Sequence, residues 1–249
     1  MKEYLYNESD NLSALVTAQP DLLLTLSHFG IPLGFGDKSI GEVCRKNGVD
    51  PQFFLLICQV YSNDSYLPSH AILMNTPMQG LVPYLLRSHD YYLNRRLPHI
   101  GHHLDKIAAM LPQRAGKAIK SFFNDYLAEV REHFEHEERT VYPHITRLLN
   151  RDKDDGSFAI KEYLLSHGNL EDKLSDLVQI IFKYLPDCRD KANQTSPAPI
   201  YLRGGATDDD SIDMIFDILQ LSRDLRKHSL IEDKILGPYV KQLEKTAAQ

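Results

Sequence analysis

The sequence predicts an all-α protein, a four-helix bundle preceded by a small helical domain. Three observations carry this. Almost no stretch alternates polar and apolar residues with period two, so no sheet is expected. From Leu81 onward, apolar residues recur every three to four positions through four long segments, the stripe that a bundle helix turns toward its partners. The 249 residues, 43% hydrophobic and 25% charged, suffice for a sizeable core and exclude a disordered or collagen-like chain.

Residues 1–62 read as the small N-terminal domain. A helix is expected from Asn11 to His28, a glycine-rich turn from Ile31 to Lys38 and a short helix from Ser39 to Arg45. Asp50 then caps a helix whose first position is Pro51, before the apolar run QFFLLICQVY. Residues 63–79, rich in Asn, Ser and Pro, read as a linker. Residues 80–249 form the bundle, with helices expected over Leu81–Leu111, Gln113–Asn150, Phe158–Leu185 and Ser211–Leu243 and a long crossover from Pro186 to Asp210. Pro98, Pro143 and Pro238 fall late in their helices, where each is expected to kink or end the helix.

Composition narrows the function. The net charge is −6 and there is no basic stretch, which argues against nucleic acid as a partner. No apolar run approaches the ~20 residues of a membrane span. The start, MKEYLYNESD, lacks the basic-then-apolar shape of a signal peptide. Cys44, Cys58 and Cys188 are odd in number and widely spaced, which suits a reducing, cytoplasmic compartment and excludes a disulfide scaffold or a thiolate zinc site.

The stripes carry the chemistry. The first runs Val82, Leu86, His89, Leu93, Leu97, Ile100, Leu104, Ile107; the second Ile119, Phe123, Tyr126, Val130, His133, Glu137, Val141. The third runs Ile160, Tyr163, His167, Leu170, Leu174, Leu177, Ile181; the fourth Met214, Ile218, Leu221, Leu225, His228, Glu232, Ile235. Four histidines and two glutamates thus interrupt otherwise apolar seams. An unpaired buried polar group costs roughly 2–7 kcal/mol, so something must compensate the six, either mutual hydrogen bonds or metal ions. The segments HFEHEERTVYP (His133 to Pro143) and HSLIEDKILGP (His228 to Pro238) share a His-x3-Glu pair, a following acid and a closing proline, and each has a lone seam histidine upstream, His89 or His167. The chain reads as two similar helical hairpins facing one another. His and Glu one turn apart share a helix face, about 6 Å apart along the axis. Six such donors are too many for tetrahedral zinc and suit two octahedral ions bridged by the carboxylates, iron better than manganese. Ferritin-type sites use Glu-x-x-His instead, a pair not seen in these seams.

The other histidines fall outside this set. His99 and His103 lie about 15 and 21 Å beyond His89 along the axis. His102 and His136 are off the seam, His144 is expected at the surface, and His28 and His70 precede the bundle. Glu171 is a candidate further donor or outer partner. Glu129 and Asp224, one turn before His133 and His228, are candidates for holding a ring N–H, or are solvated helix acids. Tyr92 and Phe134 neighbour the candidate ligands, where they fill core or shape a small pocket.

The segments SHDYYLNRRLPHI, HFEHEERTVYP and HSLIEDKILGP, with the residues around His167, resemble the hemerythrin-like di-iron proteins, and most closely the repair-of-iron-centres (RIC) family. The resemblance covers nearly the whole chain, since residues 1–62 also look like that family's small helical domain. It implies a four-helix hemerythrin-like bundle holding two iron ions, with ligands His89, His133, Glu137, His167, His228 and Glu232 and both glutamates bridging. It further implies a cytoplasmic non-haem di-iron protein that binds or responds to nitric oxide, oxygen or peroxide, with repair of damaged iron–sulfur clusters as the associated role and iron–sulfur proteins as partners. One departure stands out. The family commonly carries a Cys-Cys pair in the turn before its second short helix, and here that turn reads PLGFGDK (Pro32 to Lys38). Three alternatives stay open on the sequence: an oxygen-binding or sensing module without repair activity, a metal-dependent phosphohydrolase built on His89-Asp90, and a metal-free bundle whose polar groups bond one another.

Overall fold

The computed structural model describes residues 6–150, 160, 163, 170–184 and 206–247. Among these, regular structure is helical, and the one extended pairing is an isolated bridge between Asn11 and Ser39. The candidate ligand His167, Cys188, the start of the expected third helix and most of the expected crossover lie outside the described residues.

The N-terminal helices form where capping chemistry directs. The helix expected from Asn11 to His28 is two, Leu12–Ala18 and Leu22–Phe29, divided at Pro20. Asn11 caps the first by accepting from the Ala14 N–H, and Gly30, at φ 69°, closes the second in the left-handed region open to glycine. Ser39 and Glu42 make a reciprocal capping box for Ile40–Lys46, and Asp50 accepts from Gln52 and Phe53 at the start of Pro51–Ser62. Within residues 63–79 a further short helix, His70–Asn75, is capped by Ser69 and buries Ile72 and Leu73.

The first long helix runs Leu81–Met110, the second Gln113–Leu149 and the fourth Ala206–Ala247; the described part of the third is Leu170–Tyr184. The three prolines neither end nor simply kink their helices. Each is preceded by one π turn, Tyr92–Arg96, Glu137–Val141 and Glu232–Leu236, after which the α-helix resumes. A proline ring collides with the carbonyl four residues back. Those carbonyls belong to Asn94, Arg139 and Lys234, the middle residue of each π turn, so the backbone widens where the clash falls. The widened turn takes in one extra residue and advances the inward face. The buried stripe of the first long helix therefore steps Leu81, Leu85, Ser88, Tyr92 and then jumps five to Leu97, while Leu86 is exposed and Leu93 half-buried, against the expected seam.

The chain divides into two compact units. The first comprises residues 1–91, 134–168 and 226–249, with a core shared by Leu26, Phe53, Leu56, Tyr84, Val141, Ile145 and Ile235 among others. The N-terminal helices thus pack in one core with the ends of the later helices. The second comprises residues 92–133 and 169–225; Leu97, Ile100, Phe123, Val130, Leu174, Ile181, Met214 and Ile218 are buried in it. Among the described residues, no helix is long and apolar enough to cross a membrane.

Candidate metal centre

Four of the six expected ligands come together in the first unit. His89, Glu137, His228 and Glu232 each offer an atom within 4.8 Å of all the others, and all four are buried. His89 Nε2 lies 3.2 Å from Glu137 Oε2 and 3.3 Å from His228 Nε2, and His228 Nε2 lies 3.5 Å from Glu232 Oε1. His133 is half-buried, belongs to the second unit and is not one of this group.

The π turns help to place the carboxylates. Glu137 and Glu232 are each the first residue of a π turn, and their backbone carbonyls accept from Tyr142 and Gly237, five residues on. Bulges of this kind recur at functional sites because they re-aim side chains without breaking the helix.

Outer partners fix which ring nitrogen faces the group. His89 Nδ1 is 3.0 Å from Glu138 Oε1, and an ionised carboxylate only accepts, so Nδ1 carries the hydrogen. His228 Nδ1 is 2.9 Å from Ser88 Oγ, whose own hydrogen goes to the Leu85 carbonyl at 2.6 Å, so here too Nδ1–H donates. With Nδ1–H donating outward, each ring in its neutral form presents the Nε2 lone pair inward. Two lone pairs facing each other at 3.3 Å beside two carboxylates repel unless a positive charge sits among them. Without a metal, a proton is the available charge. Burial opposes protonation of His89, but hydrogen bonds to Glu137 and Glu138 and the charge of Glu232 outweigh it and hold its pKa above the usual value.

The structure adds residues that the seam pattern did not single out. The Tyr142 hydroxyl lies 3.1 Å from His89 Nε2, 3.4 Å from Glu137 Oε2 and 3.2 Å from Glu232 Oε1, and has one hydrogen for three acceptors. The Tyr163 hydroxyl donates to Glu137 Oε1 at 2.5 Å. Both phenols are held far above their ordinary pKa by burial and by the two carboxylates. Phe134 stacks on the His89 ring, centroids 3.8 Å apart and planes 9° from parallel, and shields it from water.

Other expectations divide. The carboxylate on His89 is Glu138, and the group on His228 is a serine. Glu129 instead pairs with Lys173, while Asp224 is buried and its carbonyl accepts from Tyr92 at 3.4 Å. Glu171 is buried in the second unit. His136, His102 and His70 are exposed. His144, expected at the surface, is buried with Nε2 3.1 Å from Glu244, because the π turn before it brings that face inward. His28 is also buried, 3.4 Å from the Tyr84 hydroxyl.

The donor set fits a metal ion of borderline hardness. Two buried imidazoles, each with its outer ring nitrogen hydrogen-bonded, and two buried carboxylates are ligands that iron, manganese and zinc accept. Comparison of the chain with protein-family profiles and with curated proteins finds no match.

Proposed function

We propose that the protein is a non-haem iron protein of the hemerythrin-like type, and that His89, Glu137, His228 and Glu232 form the buried part of a two-iron centre. The reading is supported above all by the two inward-facing Nε2 lone pairs, 3.3 Å apart between two buried carboxylates, an arrangement that asks for a cation. The sequence resemblance adds His133 and His167 as the remaining ligands and a four-helix bundle as the frame. In this reading iron supplies affinity for nitric oxide, dioxygen or peroxide. The chain's own residues do the rest. Glu138 and Ser88 fix the tautomers of His89 and His228. Tyr163 orients Glu137. Phe134 keeps water from the His89 ring.

Metal analysis of the full chain produced in iron-rich medium tests this. Iron as the predominant metal, with optical changes on adding nitric oxide or dioxygen, is the expected result. Less than about one iron per chain with another metal in its place overturns the iron assignment. A chain lacking His133 or His167 that loses part of its iron extends the donor set beyond the buried four.

One observation favours a binding or sensing role over cluster repair. Besides the turn that lacks a Cys-Cys pair, both described cysteines are buried free thiols. Burial, aided by Asp50 and Glu8, pushes the Cys44 thiol up to about 12, and burial holds Cys58 well above its usual value. Neither is a ready thiolate, so thiol exchange at these positions is disfavoured. Reversible diatomic binding without restoration of damaged clusters in a repair assay is the expected outcome.

A further inference from the structure

We infer that the Tyr142 phenol oxygen is itself a donor to the metal ion, giving the centre a phenolate ligand. The inference rests on the iron-centre reading above and deepens it.

The donor spacings match the edges of one coordination figure. Donor atoms bound about 2.0–2.2 Å from one ion lie roughly 2.8–3.6 Å apart when they are neighbours in its shell, from octahedral edges at the short end to tetrahedral edges at the long end. The separations of 3.2, 3.3 and 3.5 Å among His89 Nε2, Glu137 Oε2, His228 Nε2 and Glu232 Oε1 are such edges. Tyr142 Oη continues the figure. It stands 3.1, 3.2 and 3.4 Å from His89, Glu232 and Glu137, one such edge from three of the four donor atoms. A residue that only bonds a ligand from outside meets the far ring nitrogen and not the inward donor atoms, as Glu138 and Ser88 do.

The helix geometry explains why this tyrosine reaches so far. Its own N–H closes the π turn on the Glu137 carbonyl, so carboxylate and phenol are five residues apart along the backbone, yet their side chains meet. The equivalent position in the fourth helix is Gly237, so the second hairpin supplies no matching phenol. Without an ion the hydroxyl lies within hydrogen-bonding distance of both carboxylates. A bound cation reverses the local field, and coordination releases the hydroxyl proton to solvent while the oxygen lone pair goes to the metal.

The test loads the full-length chain with ferrous iron, lets air oxidise it, and records metal content, visible absorption and resonance Raman spectra. Ferric iron bound to a phenolate gives a broad visible charge-transfer band with enhanced phenolate ring modes. These are expected in the unaltered chain, lost in Tyr142→Phe at near-equal iron content, and kept in Tyr84→Phe, whose phenol lies at His28. Circular dichroism of Tyr142→Phe checks that it remains folded. Should it unfold, Tyr163→Phe decides between the two phenols at the centre, read per bound iron: modes kept there support the inference, and modes lost there overturn it. Iron bound without phenolate modes, or modes that persist in Tyr142→Phe, overturns the inference while leaving the iron centre standing. A chain that takes up no iron overturns both.

Discussion

Two buried histidines of the first unit, His28 and His89, have opposite acid–base characters although each is only 1% exposed. His28 sits among phenols, its ring centroid 5.5 and 5.4 Å from those of Tyr84 and Tyr91, and burial, reinforced by the nearby His228 and His89 rings, lowers its pKa to about 3. For His89 burial acts the same way, yet Glu137, Glu138 and Glu232 reverse the outcome and raise it. Burial alone therefore disfavours positive charge; the carboxylates reverse that. One pocket repels positive charge and the other, in the same unit, collects it.

The comparison breaks most visibly if the carboxylates are neutralised. Glu137→Gln and Glu232→Gln keep shape and remove charge, and each is expected to weaken metal binding by more than about 100-fold, beyond the ~10–100-fold typical of an outer partner. Competition against a chelator of known affinity measures this, and retention of tight binding in both variants would refute the electrostatic account. Next come the outer partners. Glu138→Ala should cost about 10–100-fold in affinity, since it frees the His89 ring and removes a negative charge. Ser88→Ala should sit at or below the low end of that range, because a hydroxyl orients His228 without adding charge. Equal losses would mean that orientation alone matters.

The sequence made part of this legible. The three-to-four periodicity marked His89, Glu137, His228 and Glu232 as inward-facing, because α-helical spacing holds up to each of them. It missed Tyr142 because Val141 is the next seam position at α-helical spacing, and only a π turn carries Tyr142 inward as well. His144 was misplaced for the same reason. The cause was visible as Pro98, Pro143 and Pro238, but a proline can kink, end or widen a helix, and the backbone hydrogen bonds of the folded chain decide which. The link between His28 and the centre joins residues far apart in sequence, a distance that local pattern does not span. Glu138 was hidden differently: it follows Glu137 directly and is partly exposed, so no seam includes it.

The His28 side of the comparison is sharpened by pH. Its folded pKa, about 3, lies below the value near 6.5 of an unfolded histidine. The unfolded chain takes up the proton first, so the stability tied to the neutral ring is complete above pH 6.5 and is lost as pH falls toward 3. The slope is at most about 1.4 kcal/mol per pH unit. Urea unfolding of the unaltered chain and of His28→Gln between pH 7 and 4.5 should show a shallower decline in the variant, whatever its stability at neutral pH. Parallel curves would place the acid sensitivity elsewhere.

Tyr84→Phe carries the smallest expected effect and separates the two pockets most cleanly. At 3.4 Å the contact between the Tyr84 hydroxyl and His28 Nδ1 is long, and a neutral hydrogen bond contributes about 0.5–1.5 kcal/mol net, so a loss at the low end of that range is expected at neutral pH. The ring itself remains to pack against Phe29, 4.7 Å away between centroids. Because no carboxylate is removed, metal affinity should not change, and because His28 stays buried, the acid slope should persist. A fall in metal affinity in Tyr84→Phe would show that the phenol-lined pocket and the carboxylate-lined one act together. Their contrast would then be a property of one continuous network, not of the partners each imidazole meets.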